Sequence, residues 1–308
     1  MTEAVYLWGM HSPAPSVVNE PIHLARSLPF AIIHLMVLGA LFVDVRWQDW
    51  AVCAALYFVR MFGITAGYHR YFAHRGFRTG RVVQFLLALL GTTSAQKGVL
   101  WWAGHHRHHH VHSDDEHDIH SPKRGFWWSH LGWILAVKHD ATPTSRIKDF
   151  ARFPELRFLN KHWWLPPTLL AAVLLVVGGP SMLFIGFILS TVLLWHATFL
   201  VNSLAHVWGS RRFATTDTSR NNALIALLTL GEGWHNNHHH YCSTARQGFY
   251  WWEIDVSYYI LKGMSKLGLV WDLRTPHADA LARNRIDQGA IDLAVPSKAR
   301  PLELQDAE

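Results

Sequence analysis

The chain is short of charge. Asp, Glu, Lys and Arg make up 16% of its 308 residues, where soluble domains carry roughly 25%, so it lacks the material for a large hydrated surface. Two cysteines exclude a disulfide-stapled scaffold, and neither stands in a C-x-x-C pair that would favour a structural zinc. Acidic side chains are the scarcer sign, 22 against 28 basic, which leaves a formal charge of +6. No internal repeat or low-complexity tract is evident. At 50% hydrophobic residues the chain is neither disordered nor collagen-like. What it holds in excess is histidine, 23 residues, and tryptophan, 16. That balance points to a membrane protein with a metal site.

Four apolar runs, at 27–43, 50–68, 163–180 and 182–201, approach the ~20 residues that cross ~30 Å of hydrocarbon. Trp50, Trp163 and Trp164 stand where interfacial aromatics belong. The links at 44–49 and 178–181 are short, so the expected fold is an all-α integral membrane protein with four transmembrane helices in two hairpins. The first run starts too late, and without a charged leader or cleavage site, for a signal peptide. Of the 28 Lys and Arg residues, Arg46 falls in an inter-span turn and Arg60 within a span. The positive-inside rule then places the remainder, with both termini, in the cytoplasm. Arg60 has no partner legible in the sequence; snorkelling or an interhelical hydrogen bond is expected of it. Runs 82–95, 126–137 and 250–269 are too short or too mixed with Trp, Tyr and charge to span, and read as interfacial or buried helices. A single domain over 1–272 is expected, with a polar tail over 273–308.

The histidines are clustered. His106, His109 and His110 stand at i, i+3 and i+4, on one helix face, and can converge on a metal. His235, His238 and His239 repeat that H-x-x-H-H spacing, and His206 ends the last span. His69 and His74, five apart, diverge by roughly 140° on a regular helix, so a bend or two different ions is needed for both to serve. If 82–95 does not cross, every cluster lies on the cytoplasmic side. Nine candidate nitrogens are too many for one ion and suit two, with four or five each. Imidazole suits Zn, Cu, Fe and Ni, and a site with no carboxylate ligand is expected to hold iron with positions open to oxygen. Ligation needs neutral imidazole, so loading should fail in acid. Asp114, Asp115, Glu116, Asp118 and Glu232 are the acids placed to orient the rings. His105, His108, His112, His117 and His240 are expected in supporting or solvent roles, and His34 and His196 in hydrogen-bonded packing.

The boxes H-R-x-x-x-H from His69, H-x-x-H-H from His106, N-x-x-x-H from Asn202 and H-N-x-H-H from His235 resemble those of the membrane fatty-acyl desaturases of the stearoyl-CoA (Δ9) type. Supporting text runs through Gly63-Ile64-Thr65-Ala66-Gly67, Arg124-Gly125-Phe126-Trp127-Trp128-Ser129-His130, Leu200-Val201-Asn202-Ser203 and Gly231-Glu232-Gly233-Trp234. The resemblance covers residues 30 to 260 and implies four transmembrane helices under a cytosolic helical cap, a di-iron centre and O2 as co-substrate. It implies His69, His74, His106, His109, His110, His206, His235, His238 and His239 as metal ligands, with Asn202 holding a metal-bound water. No residue beyond that centre is implied to be catalytic. The implied reaction introduces a cis double bond, expected at Δ9, into a saturated acyl chain. Trp102, Thr198 and Trp195 are candidates for lining the acyl tunnel, and Met61 for stopping it.

The chain departs from the animal acyl-CoA enzymes around the second box. Lys97, Gly98 and Gly104 stand where polar residues meet the CoA head, and His105 replaces an Asp. Lys123 and Arg124 match a basic pair able to contact phosphates. The carrier (CoA thioester, acyl-carrier protein or phospholipid) therefore stays open. The residues after Asp272 are too few for a fused cytochrome b5 module. Electrons are thus expected from a separate ferredoxin, rubredoxin, flavoprotein or cytochrome b5-like donor. The other expected partners are membrane lipids, with no nucleic acid, and the expected location is a bacterial inner membrane. A hydroxylase of the same metal class, acting on acyl chains or alkanes, and a histidine-based metal transporter are the alternatives.

Overall fold

The computed structural model describes Ile22 and residues 24–286. Both chain ends, and so most of the tail at 273–308, lie outside the described residues. Nearly all the regular structure is helical; a two-residue antiparallel pair, β1 (Arg78–Thr79) with β2 (Val270–Trp271), is the only ladder among the described residues. Helix α1 (Leu24–Met36) continues as a 3₁₀ turn to Phe42. Helix α2 (Trp47–Phe62) then runs without a break into a π-helix, Gly63–Ala73. Arg46 and Asp49 cap its start reciprocally: Arg46 N donates to Asp49 Oδ2 at 2.8 Å.

Two helical runs are long and apolar enough to cross a membrane, Trp47–Ala73 and Leu165–His206. The second is not one rod. Gly179 sits at φ +76°, a conformation open to glycine, and kinks α5 (Leu165–Ser181) sharply within its last turn. The chain folds back through a second π-helical segment, Met182–Leu189, into α6 (Ser190–Asn202). The hairpin turn read at 178–181 is thus present, built on a single left-handed glycine. Run 82–95 forms α3 (Arg81–Thr92), which lies against the π-helix instead of extending away. The approach is close: a Cβ on Gly63 would meet the Gly91 nitrogen at 2.7 Å. Tyr68 and Thr92 exchange a hydroxyl hydrogen bond of 2.9 Å across it.

Arg60 finds its partners across the bundle. Its side chain is 1% exposed, with Nη2 donating to Ser190 Oγ at 2.6 Å and Nη1 to Thr191 Oγ1 at 2.7 Å. Nε donates to the Leu56 carbonyl at 3.1 Å. The two hydroxyls give their own protons to the Gly186 and Phe187 carbonyls, so they are free to accept from the guanidinium. An interhelical hydrogen bond, not snorkelling, is what the structure shows. Arg60→Met should lower stability by about 1–3 kcal/mol, read as a fall in the thermal midpoint in detergent, with metal content unchanged.

Candidate metal centre

The π-helix is what brings His69 and His74 together. In a π-helix the hydrogen bond runs i→i+5, and the His74 amide donates to the His69 carbonyl at 3.2 Å. Residues five apart therefore share a face, and the two rings lie 4.9 Å apart. The divergence expected of an α-helix is removed by a local change of pitch.

Each H-x-x-H-H box is split between two groups. In α4 (Val99–His112), His106 and His110, four apart, turn to one side and His109 to the other. In a short helix, α7 (His235–His240), the pattern is inverted: His238 joins the first group, while His235 and His239 join the second. Positions i+3 and i+4 lie about 100° apart around a helix axis, enough to address two ions side by side. The expectation that one box converges on one metal is corrected by that angle. A six-residue helix cannot stand alone. The asparagines between its histidines anchor it: Asn236 Oδ1 accepts from the Arg212 and Phe213 amides, each at 2.8 Å. Asn237 donates to Glu253 at 2.8 Å and accepts from Asn221 at 2.7 Å.

The first group comprises His69, His74, His106, His110 and His238; the second His109, His206, His235 and His239. Within each, the candidate ligand nitrogens lie within 4.8 Å of one another. The spacing fits ions better than hydrogen bonds. Successive Nε2 pairs are 3.0 Å (His69–His238), 2.8 Å (His238–His110), 3.0 Å (His110–His106) and 2.9 Å (His106–His74). Donors about 2.1 Å from one ion and at right angles are about 3.0 Å apart. In the second group His206 and His235 present Nε2 atoms 3.0 Å apart. The buried Nε2 atoms of His109 and His239 have no hydrogen-bond partner, as open ligand positions require.

Acids set the tautomers. His69 Nδ1 meets Glu232, and His109 Nδ1 meets Asp118 at 3.0 Å. His239 Nδ1 meets Asp217 at 2.5 Å. His206 Nδ1 lies 3.2 Å from Thr218 Oγ1, which itself donates to Asp114 at 2.6 Å. A proton held on Nδ1 leaves the Nε2 lone pair for metal. Burial would raise the carboxyl pKa values, yet His69 and Arg70 hold Glu232 at about 2, and His206 with Thr218 holds Asp114 at about 2. Asp217 and Asp118 are lowered by their histidines in the same way. Asp115 and Glu116, by contrast, are exposed and pair only with His112 and His117.

Sequence reasoning missed Asp217, which sits in a loop far from every box. It also missed the buried Arg70 node, where the guanidinium meets Glu232 at 3.0 Å and Asp255 at 2.8 Å; the Arg in H-R-x-x-x-H was the available signal. His120 was not assigned either, and its ring lies buried 4.1 Å from that of His109. Of the remaining histidines, His105 contacts the Ala141 carbonyl (3.1 Å), His108 the His117 carbonyl (2.9 Å) and His240 the Ala280 carbonyl (2.6 Å). None joins either group.

Two cavities meet at the centre. A long one of about 860 Å³ runs between α1, α5 and α6 and reaches Trp102, His106, Thr198 and Asn202. Its size falls within the roughly 300–1,000 Å³ typical of ligand sites. A small one of about 40 Å³ lies beneath the histidines and is bounded by those same four residues together with Met61 and Ile64. Trp102 and Thr198 thus stand at the junction, Trp195 lines only the long cavity, and Met61 only the small one. Gln96, which the sequence reading passed over, joins the two junction residues: its Nε2 donates to Thr198 at 3.1 Å and its Oε1 accepts from Trp102 at 3.3 Å. Lys97 lines the long cavity, paired with Asp140. Lys123 and Arg124 line neither cavity; Lys123 Nζ donates to the Asp114 carbonyl at 2.7 Å and Arg124 lies 3.6 Å over the Trp128 ring.

Comparison with known proteins places the chain among desaturases. The chain is 37% identical over 259 residues to an sn-1 stearoyl-lipid 9-desaturase of Anabaena variabilis, covering 82% of this chain and 94% of that protein. It is 36% identical to an sn-2 palmitoyl-lipid 9-desaturase of Nostoc sp. (strain 36), over 83% of this chain and 92% of that one. An acyl-CoA C20 Δ5-desaturase of Anemone leveillei is 37% identical over 80% of this chain and 82% of its own length. With the profile of the family described as "Fatty acid desaturase" matching residues 46–265, the chain belongs to that family.

Proposed function

We propose that this desaturase inserts a cis double bond at the Δ9 position of a saturated acyl chain, carried as a CoA thioester or a phospholipid, that lies in the long cavity and passes beneath the two histidine groups. The observation that carries this reading is the junction at Trp102, His106, Thr198 and Asn202, where a largely apolar cavity touches the metal-binding residues. In this reading α1 with its 3₁₀ extension, α2 with its π-helix, and the two arms of 165–206 form four spans, and the histidines lie in a cap on the cytoplasmic side of a bacterial inner membrane. The nine histidines hold two iron ions, and Asn202 orients a water. Iron bound there supplies the activation of O2 that hydrogen removal from an unactivated methylene needs, since such C–H bonds offer no proton to a base.

The protein's own share is positional. Trp102 and Thr198, tied by Gln96, narrow the cavity at the centre and bend the chain there. The aromatic walls exclude water, and the acids behind His69, His109 and His239, with Asp114 acting on His206 through Thr218, keep Nδ1 of those rings protonated and their Nε2 aimed. The names of the relatives span Δ5 and 9-desaturases on both CoA and lipid carriers, so position is tested directly. Expression in a host without a desaturase, followed by mass spectrometry of derivatised acyl chains, should give a Δ9 monounsaturated product. Hydroxylated chains in place of unsaturated ones would overturn the reading in favour of the hydroxylase.

A further inference from the structure

Behind one wall of the long cavity lies a second set of histidines that the metal centre does not use. His34 in α1, His196 in α6 and His130 in the short π-turn Trp128–Gly132 form a head-to-tail row. His34 Nδ1 lies 2.7 Å from the Phe30 carbonyl, and His34 Nε2 lies 3.0 Å from His196 Nε2. His196 Nδ1 lies 3.0 Å from His130 Nε2, and His130 Nδ1 lies 2.9 Å from Ser203 Oγ.

Neutral rings admit one assignment of protons along this row. A carbonyl can only accept, so His34 Nδ1 donates and its Nε2 must accept. His196 then donates from Nε2 and accepts at Nδ1, His130 donates from Nε2, and the Ser203 hydroxyl, also 3.0 Å from the Phe199 carbonyl, closes the row by turning its one proton to His130 Nδ1. Burial, with the neighbouring His196, lowers the His130 pKa to about 4, which keeps that ring neutral at pH 7. All three rings are therefore fixed in orientation by directional bonds, and α1, α6 and the cap segment are fixed to one another.

The cavity wall leans on this row. Phe30, Trp195 and Phe199 line the cavity. Phe30 and Trp195 stack at 5.2 Å and 10°. His34 packs against Phe30 at 4.3 Å and Trp195 at 5.8 Å, and His130 meets Phe199 edge-on at 5.6 Å. A shift in any of the three imidazoles moves an aromatic ring that bounds the cavity within one helical turn of Thr198 and Asn202.

We propose that the His34–His196–His130 row is a positioning element that sets the register at which the acyl chain passes the metals, and so the position of the double bond. The inference rests on the reading of the long cavity as the acyl site. These residues touch no reacting atom; they act through Phe30, Trp195 and Phe199.

The test compares wild type, His34→Phe, His196→Leu and His196→Asn in a desaturase-free host, scoring positional isomers and the metal content of the purified protein. His34→Phe keeps the ring and its stack while cutting the row, so it should fold. In His34→Phe and His196→Leu the minor positional isomer should rise about tenfold relative to the main one, with metal content unchanged. His196→Asn, which can still donate and accept, should restore most of the wild-type ratio. If His34→Phe lowers yield yet keeps the wild-type isomer ratio, the row is packing alone and the inference falls. A wild-type chain that yields no unsaturated product removes the functional reading first, and the inference with it.

Discussion

Replacing His238 with alanine should strip metal and abolish activity together. His238 Nε2 lies 3.0 Å from His69 Nε2 and 2.8 Å from His110 Nε2, so it links the π-helix to α4 within the first group. Its helix neighbour His239 belongs to the second group. Losing one of five donors and opening the gap to water should cut the metal content of purified protein from two ions per chain toward one, and activity by more than about a hundredfold; removing even a residue behind a ligand costs roughly 10–100-fold. The matched control is His240→Ala, next along the same helix. His240 stacks on Phe213 at 4.0 Å and belongs to neither group, so that variant should keep its metal. Metal analysis by mass spectrometry with parallel product assays decides it. Full metal and activity in His238→Ala would overturn the centre; zinc in overexpressed protein would not, since imidazole sites accept it.

How much of this was legible differs by element. The clustering of the candidate ligands was readable because histidine spacing survives in sequence, and the structure gathers all nine named imidazoles into two groups able to hold a metal. Their partition was not readable. An H-x-x-H-H box looks like one face, but the 100° between i+3 and i+4 matters once two ions sit side by side. His69 and His74 looked divergent because periodicity reasoning assumes α-helical pitch, and nothing in Gly63–Ala73 announces a π-helix. The supporting acids were half legible: Glu232 and Asp118 stand beside boxes, while Asp217 reaches His239 from a loop. Arg60 illustrates the limit of pair-finding, because its partners are hydroxyls about 130 residues away with no charge to betray them. Gln96 was invisible for the same reason; a polar residue joining Trp102 to Thr198 has no signature along the chain.

Acid should dismantle the centre over a narrow pH range. Burial, reinforced by the charge that neighbouring histidines would carry, pushes His106, His110, His235 and His238 well below their ordinary pKa. In the unfolded chain the same side chains titrate near 6.5. Between that value and the depressed folded one, the unfolded state binds protons that the folded state refuses, so stability falls as pH falls. Each such histidine contributes at most about 1.4 kcal/mol per pH unit, and four of them titrating together set a steep slope. The carboxylates Asp114 and Glu232, held near 2 in the fold, add loss of the same sign below about pH 4. Metal-free protein should therefore lose several kcal/mol between pH 7 and pH 5, seen as a falling thermal midpoint in detergent. Metal-loaded protein should resist over the upper part of that range, because bound ions exclude protons from Nε2, and then release both ions as the imidazoles protonate. A thermal midpoint of the metal-free protein that stays flat from pH 8 to pH 5 would mean that these rings are not held buried and neutral against one another, which the two-ion reading requires.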